Sequence, residues 1–279
     1  MSDNISYSMI SSRINNVLCL VRRLVYACLR CVDFFLPRRA HKVVIFSYHS
    51  IARDNWRFSI DLDVFRKQIE SLLTQYRPLT LSEAWKFLRG LRSIEQPSFV
   101  ITFDDGYRDI LEVKDFLLEK GISPTLFVLS DAEHVDGGEL GTSREFLSTS
   151  EIQELYVSGW EIGCHSATHG DFWEMSEAQI QQETAGAKRV LEERFGFPVR
   201  YFAYPRGRYT KVARRLIGEA GYDLALSMDD GFLSPETDPF VVPRVGVDRT
   251  HSHYEFFAIH TDAAILFRKI AKKIIGRFL

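Results

Sequence analysis

Short apolar runs of strand length recur along this chain, and a helix-length segment follows nearly every one. Residues 43–48 read VVIFSY and residues 98–103 read SFVITF; 124–129, 160–163, 201–204 and 224–226 repeat the type. Continuous β-branched and aromatic residues without polar alternation mark a strand covered on both faces. Residues 61–75, 81–91, 110–120, 150–158, 176–195 and 210–220 read as helices between them. Ser82 is read as the N-cap of the second helix, and Gly121 closes the third. Strand after helix after strand predicts a parallel α/β sheet. In such folds, functional groups gather where the strands end and the loops converge.

The length, 279 residues, suffices for one large α/β domain, and a formal net charge of -2 gives no reason to expect nucleic acid as a partner. The two ends differ from the body. Residues 17–36 are apolar but interrupted by Arg22, Arg23 and Arg30, which excludes a spanning helix. No clean small-residue cleavage site follows them. At the other end, Phe267, Ile270, Ala271, Ile274, Ile275 and Phe278 form one helical face, and Arg268, Lys269, Lys272, Lys273 and Arg277 supply charge. Each end fits either a helix lying on an anionic membrane surface or a helix packed on the protein. The expected division is an amphipathic segment 1–40, a catalytic domain 41–262 and a basic amphipathic helix 263–279. Four cysteines (Cys19, Cys28, Cys31, Cys164) are too few for a disulfide scaffold. They point to a reducing, cytoplasmic compartment, with the inner face of a membrane as the place for the two ends.

Two motifs carry chemistry. Asp104 and Asp105 end one of the buried runs, where adjacent carboxylates are costly unless paired or bound to a cation. Alternation sends the two side chains in different directions, so one can hold a metal while the other faces a reacting group. Gly106 permits the turn beneath them. Residues 165–169 read His-Ser-Ala-Thr-His, and histidines four apart share one face of a helical turn. Ser166 stands where a zinc protease signature has Glu, which disfavours a peptidase. Two His and one carboxylate leave coordination positions open, a catalytic arrangement suited to zinc, cobalt, nickel or iron.

Thr102-Phe-Asp-Asp-Gly106, His165-Ser-Ala-Thr-His169 and Phe202-Ala-Tyr-Pro-Arg-Gly207 resemble, in order and spacing, the motifs of the polysaccharide deacetylase family (carbohydrate esterase family 4, NodB homology). Tyr48-His-Ser-Ile51 is similar to the branch containing the poly-N-acetylglucosamine deacetylases. The resemblance implies a distorted (β/α) barrel and hydrolysis of an N-acetyl group from an amino-sugar glycan. It implies one divalent metal, zinc first, on Asp105, His165 and His169, and Asp104 as the base acting on a water at that metal. It implies His49 as the acid that protonates the leaving amine. Substrate and oxyanion contacts fall to Tyr204, Pro205 and Arg206. Many members have an Arg where this chain has Ala203, and Arg244 is the expected substitute. An O-acetyl esterase, a deformylase of a lipid- or nucleotide-linked sugar, and an inactive carbohydrate-binding relative are the alternatives.

Overall fold

The computed structural model describes residues 21–33, 35, 42–135, 140 and 143–275. Contacts divide the chain into a body, Arg39–Thr250, and a second unit made of Met1–Arg38 with His251–Leu279. In this division residues 251–262 group with the termini.

The body's strands are β1 (Val43–Tyr48), β2 (Ser50–Ile51), β3 (Ser59–Ile60), β4 (Arg77–Pro78), β5 (Ser98–Phe103), β6 (Thr125–Val128), β7 (Glu161–Cys164), β8 (Tyr201–Ala203), β9 (Leu224–Leu226) and β10 (Val245–Gly246). The main sheet runs β10-β1-β5-β6-β7-β8-β9, with β4 also beside β5; β2 and β3 pair separately. Its strand pairs are parallel, and β1 and β5 stay in register from Val43 opposite Ser98 to Tyr48 opposite Phe103.

The two edges of this sheet approach each other. Leu226 of β9 bridges to Val242, and Val245 pairs with Phe46 of β1. Three residues span at most about 10 Å. The sheet is thus curled into a distorted barrel, and residues 242–245 cross its opening. Val43, Ile45, Val100, Phe127, Ala203, Leu224 and Leu226 belong to its buried core. Phe127 occupies the space that Gly163 leaves, since a Cβ on Gly163 would stand 2.4 Å from the ring. At close-packed density even alanine there must displace the core.

Three helical expectations change in detail. Thr80, not Ser82, caps the helix Leu81–Leu88, through a reciprocal pair with Glu83. Ser82 is drawn instead to Glu161, whose carboxylate also accepts the Leu81 and Ser82 amides at 2.8 and 3.0 Å. An acid at a helix N-terminus satisfies donors that have no partner in the helix. The 110–120 segment is a 3₁₀ turn, Arg108–Val113, leading into Lys114–Glu119. The 176–195 helix is broken by a π turn, Gln182–Gly186, between Glu177–Gln181 and Ala187–Phe195.

In the second unit, residues 21–33 are helical and accompany the helices His253–Ile259 and Asp262–Ile275. Arg22 Nε donates to Glu255 at 2.7 Å, and the Ala263 amide donates to Asp33 at 3.3 Å. The Arg30 guanidinium lies over the rings of Tyr254 and Phe257. These contacts explain why residues 251–262 join this unit. No helix among the described residues is long and apolar enough to cross a membrane.

Candidate metal centre and active site

The carboxyl ends of β1, β5 and β7, with the segment that crosses the barrel opening, bring together the residues singled out above. Asp105 follows β5 at φ 69°, and Gly106 continues the turn at φ 84°. Asp105 Oδ1 lies 3.3 Å from His165 Nε2 and 3.5 Å from His169 Nε2. All three side chains are buried, with their ligand atoms within 4.8 Å of one another.

The histidine loop corrects one expectation. Residues 165–169 do not form a helical turn. Ser166 and His169 instead adopt left-handed φ values of 77° and 63°. Such positions cost on the order of 1–3 kcal/mol each and persist only where the surroundings fix them. Here the surroundings do. The His169 amide donates to Ser166 Oγ at 3.0 Å, and the Ser130 and Asp131 amides donate to the carbonyls of Ser166 and Ala167. Glu183 takes the amides of Ala167 and Thr168, both at 2.9 Å, and the Thr168 hydroxyl at 2.8 Å. Glu183 sits in the π turn, and such turns recur at functional sites.

The donor set fits a cation. His165 Nδ1 lies 2.8 Å from the Ala203 carbonyl, which makes Nδ1 the protonated nitrogen and turns the Nε2 lone pair toward Asp105. Asp105 Oδ1 is buried and accepts no hydrogen bond. A charge-assisted N–H···O bond would be about 2.7–2.9 Å, shorter than either His–Asp distance. Two ligands on one tetrahedral ion, each at about 2.0–2.1 Å, stand roughly 3.3–3.4 Å apart. In the metal-free chain burial pushes His169 down to about 4, against the opposing charge of Asp105, so the ring is neutral at neutral pH. Burial acts on Asp105 in the opposite sense, but His165 and His169 outweigh it and hold the carboxyl far below its ordinary range.

Asp104 is held apart from this trio. Its Oδ1 accepts from Arg244 Nη1 at 2.7 Å and its Oδ2 accepts from the Ser47 hydroxyl at 3.1 Å. Arg244 is fully buried on the segment that crosses the barrel opening. It also donates to Thr102 Oγ1 at 3.2 Å and to the Ser227 carbonyl at 3.3 Å. Burial alone would raise the Asp104 carboxyl; the Arg244 charge, then those of His165 and His49, lower it below the usual carboxylate range. Asp104 is therefore ionised at neutral pH.

His49 follows β1, its ring 4.8 Å from that of Phe58 and its Nδ1 buried without a hydrogen-bond partner. It is near enough for its charge to lower both Asp104 and Asp105. The expected oxyanion residues separate. The Tyr204 amide donates to the Leu226 carbonyl and its hydroxyl to the Phe240 carbonyl, and Pro205 has no N–H. Arg206 has a φ of 56°, which turns the chain sharply at this point. Arg206 and Arg208 both reach Asp171 Oδ2, at 3.4 and 2.8 Å, tying this turn to the histidine loop.

Sequence reasoning passed over Ser47 and Glu183. Glu183 carried a signal: it lies on the buried side of its helix with Ile180, Thr184, Ala187 and Leu191, where an acid needs a partner. Glu183→Gln should weaken divalent-metal binding about 10- to 100-fold, the usual cost of losing a group that orients ligands. Competition with a chromogenic chelator reads this, and unchanged affinity would show that the loop holds without the carboxylate. Cys164, beside His165, is outside the ligand cluster, and burial pushes its thiol up to about 12. Iodoacetamide at mildly alkaline pH should therefore label the exposed Cys28 and Cys31 and spare Cys164 until the chain unfolds. Peptide mass spectrometry checks this, and rapid labelling of Cys164 in the folded chain would contradict its burial.

The polysaccharide deacetylase family model matches residues 92–225. That span holds Asp104, Asp105, both histidines and Arg206, whereas His49 and Arg244 lie outside it. YxkH of Bacillus subtilis (strain 168), named by inference as a polysaccharide deacetylase, is 26% identical over 212 residues, 74% of this chain and 71% of its own length. The Streptococcus pyogenes deacetylase PplD, solved with acetate, matches with a TM-score of 0.69 at 20% identity, covering 80% of this chain and 100% of PplD. IcaB from Ammonifex degensii matches with a TM-score of 0.70 at 23% identity, covering 81% of this chain and 98% of IcaB. These solved structures share the curled parallel sheet. The family model and the motifs at the strand ends make this chain similar to the polysaccharide deacetylases over residues 92–225, and the solved structures share its fold.

Proposed function

We propose that this chain is a metal-dependent hydrolase that removes N-acetyl groups from an amino sugar in a polysaccharide or glycan precursor. It stands closest in kind to the poly-N-acetylglucosamine deacetylases. One observation carries the reading: a cation-fitting trio, Asp105, His165 and His169, beside a carboxylate, Asp104, that has its own buried counter-charge. A purely structural metal site has no use for the second carboxylate.

A divalent metal held by the trio, zinc in the first instance, would polarise the acyl carbonyl and acidify a water. The remaining steps belong to the chain. Asp104 accepts the proton of the attacking water, and Arg244 keeps it ionised and aimed. The Arg206 amide donates to the oxygen on which negative charge develops. His49 passes a proton to the departing amine nitrogen, which leaves poorly as an anion.

That last step separates amide from ester cleavage, because an alkoxide leaves more readily than an amide anion. His49→Gln should lower acetate release from N-acetylglucosamine oligomers about 10²-fold or more. It should lower release from an O-acetylated sugar much less. Equal losses on both substrates would remove His49 as the acid, and activity confined to O-acetyl substrates would make the enzyme an esterase.

A further inference from the structure

We infer that the unit formed by the two chain ends is a docking surface for an anionic lipid bilayer. Its charge differs from that of the rest of the molecule. Residues 1–38 and 251–279 carry ten Lys and Arg against four Asp and Glu, in a chain whose net charge is -2, so the body is strongly acidic. Two of the four acids have partners within the unit. Glu255 is buried against Arg22 and Ser252, and Asp33 accepts from the Ala263 amide.

Apolar side chains stand among these bases. Val21, Leu24 and Val32 are exposed on the first helix, and Leu266, Phe267 and Ile270 on the last, with exposures of 44–59%. Exposed Arg23, Arg30 and Lys269 lie beside them, and Lys272, Lys273 and Arg277 extend the basic run in sequence. The first turn of the last helix is packed, since Ala263, Ala264 and Ile265 are buried. Large apolar groups left in water next to basic ones are the mark of a helix seated at a membrane interface. No described helix is long and apolar enough to cross a bilayer. Charge complementarity selects the occupant: an anionic surface attracts this basic unit and repels the acidic body.

The test is co-sedimentation of the full chain with vesicles of phosphatidylcholine alone and with about one-third phosphatidylglycerol. Binding to the anionic vesicles, weakened by salt and nearly absent on the neutral ones, is expected. Removing one basic residue at such a surface lowers partitioning about fivefold, so Arg23→Gln with Lys269→Gln should lose about 25-fold. Phe267→Ser should lose about tenfold with the charge unchanged. All three residues are exposed, and an unchanged melting curve confirms that each variant is folded. Equal binding to both vesicle types, variants that bind like wild type, or a dimer formed through this face without vesicle binding would each overturn the inference. The reaction does not enter into it, so an inactive protein that binds vesicles supports docking alone.

Discussion

Asp104→Asn is expected to lower turnover by about 10²- to 10⁴-fold, the contribution of a positioned general base. Metal affinity should stay within a few-fold of wild type, because the ligand atoms belong to Asp105, His165 and His169. Asparagine keeps an oxygen that accepts from Arg244, so the variant loses basicity with little change of shape. Acetate release from an N-acetylglucosamine oligomer, measured with metal content on the same sample, checks both halves. Turnover within tenfold of wild type would remove Asp104 as the base. Loss of the metal together with activity would show that both carboxylates serve the ion.

Arg244→Met should have the second-largest effect, and it falls on stability as well as rate. Removing one partner of a buried ion pair costs about 3–5 kcal/mol, because the other charge is left uncompensated. Arg244 is fully buried and Asp104 nearly so, so solvent cannot take over. The pH dependence follows from the sign of the shift. In wild type the Asp104 carboxyl is lowered, so its stabilisation is present above the unfolded carboxylate pKa and is lost as pH falls through the lower folded value. Without the guanidinium, burial dominates and raises the carboxyl. Asp104 then destabilises the variant at neutral pH, and stability recovers in mild acid. The acid limb of the rate profile should move upward with it. Urea melts and rate profiles across the acidic range read both shifts. A variant as stable as wild type at neutral pH, with an unmoved acid limb, would show that Arg244 does not govern Asp104.

The parts of the site legible in the sequence are those whose chemistry is local. Asp104, Asp105 and Gly106 announce themselves by ending a buried apolar run, and the strand over Ser98–Phe103 is observed as read. His165 and His169 were legible as a pair but not in conformation. Four-residue spacing suggests a helix, whereas the chain uses two left-handed residues, held by Glu183, Ser166 and the amides of Ser130 and Asp131. Ser47 lay inside a strand that reads as uniformly apolar, and its use depends on β1 lying in register with β5. Arg244 illustrates both sides. A missing arginine at Ala203 raised the need for a substitute, but that residue 244 meets Asp104 depends on the segment 242–245 crossing the barrel opening, a property of closure that no periodicity reports. The Thr80 cap was missed for a similar reason: Ser82 is an equally good capping residue until Glu161, from a distant strand, engages it.

The central claim is that the Asp105, His165 and His169 trio holds a metal on which amide hydrolysis depends. The most direct measurement is acetate release from N-acetylglucosamine oligomers by chelator-stripped protein, before and after adding back one equivalent of zinc, cobalt, nickel or iron. The account predicts no release from the stripped chain, recovery with at least one of these ions, and no recovery in His169→Ala. Release that survives stripping, or full metal loading without release from any N-acetylated amino sugar, would contradict it.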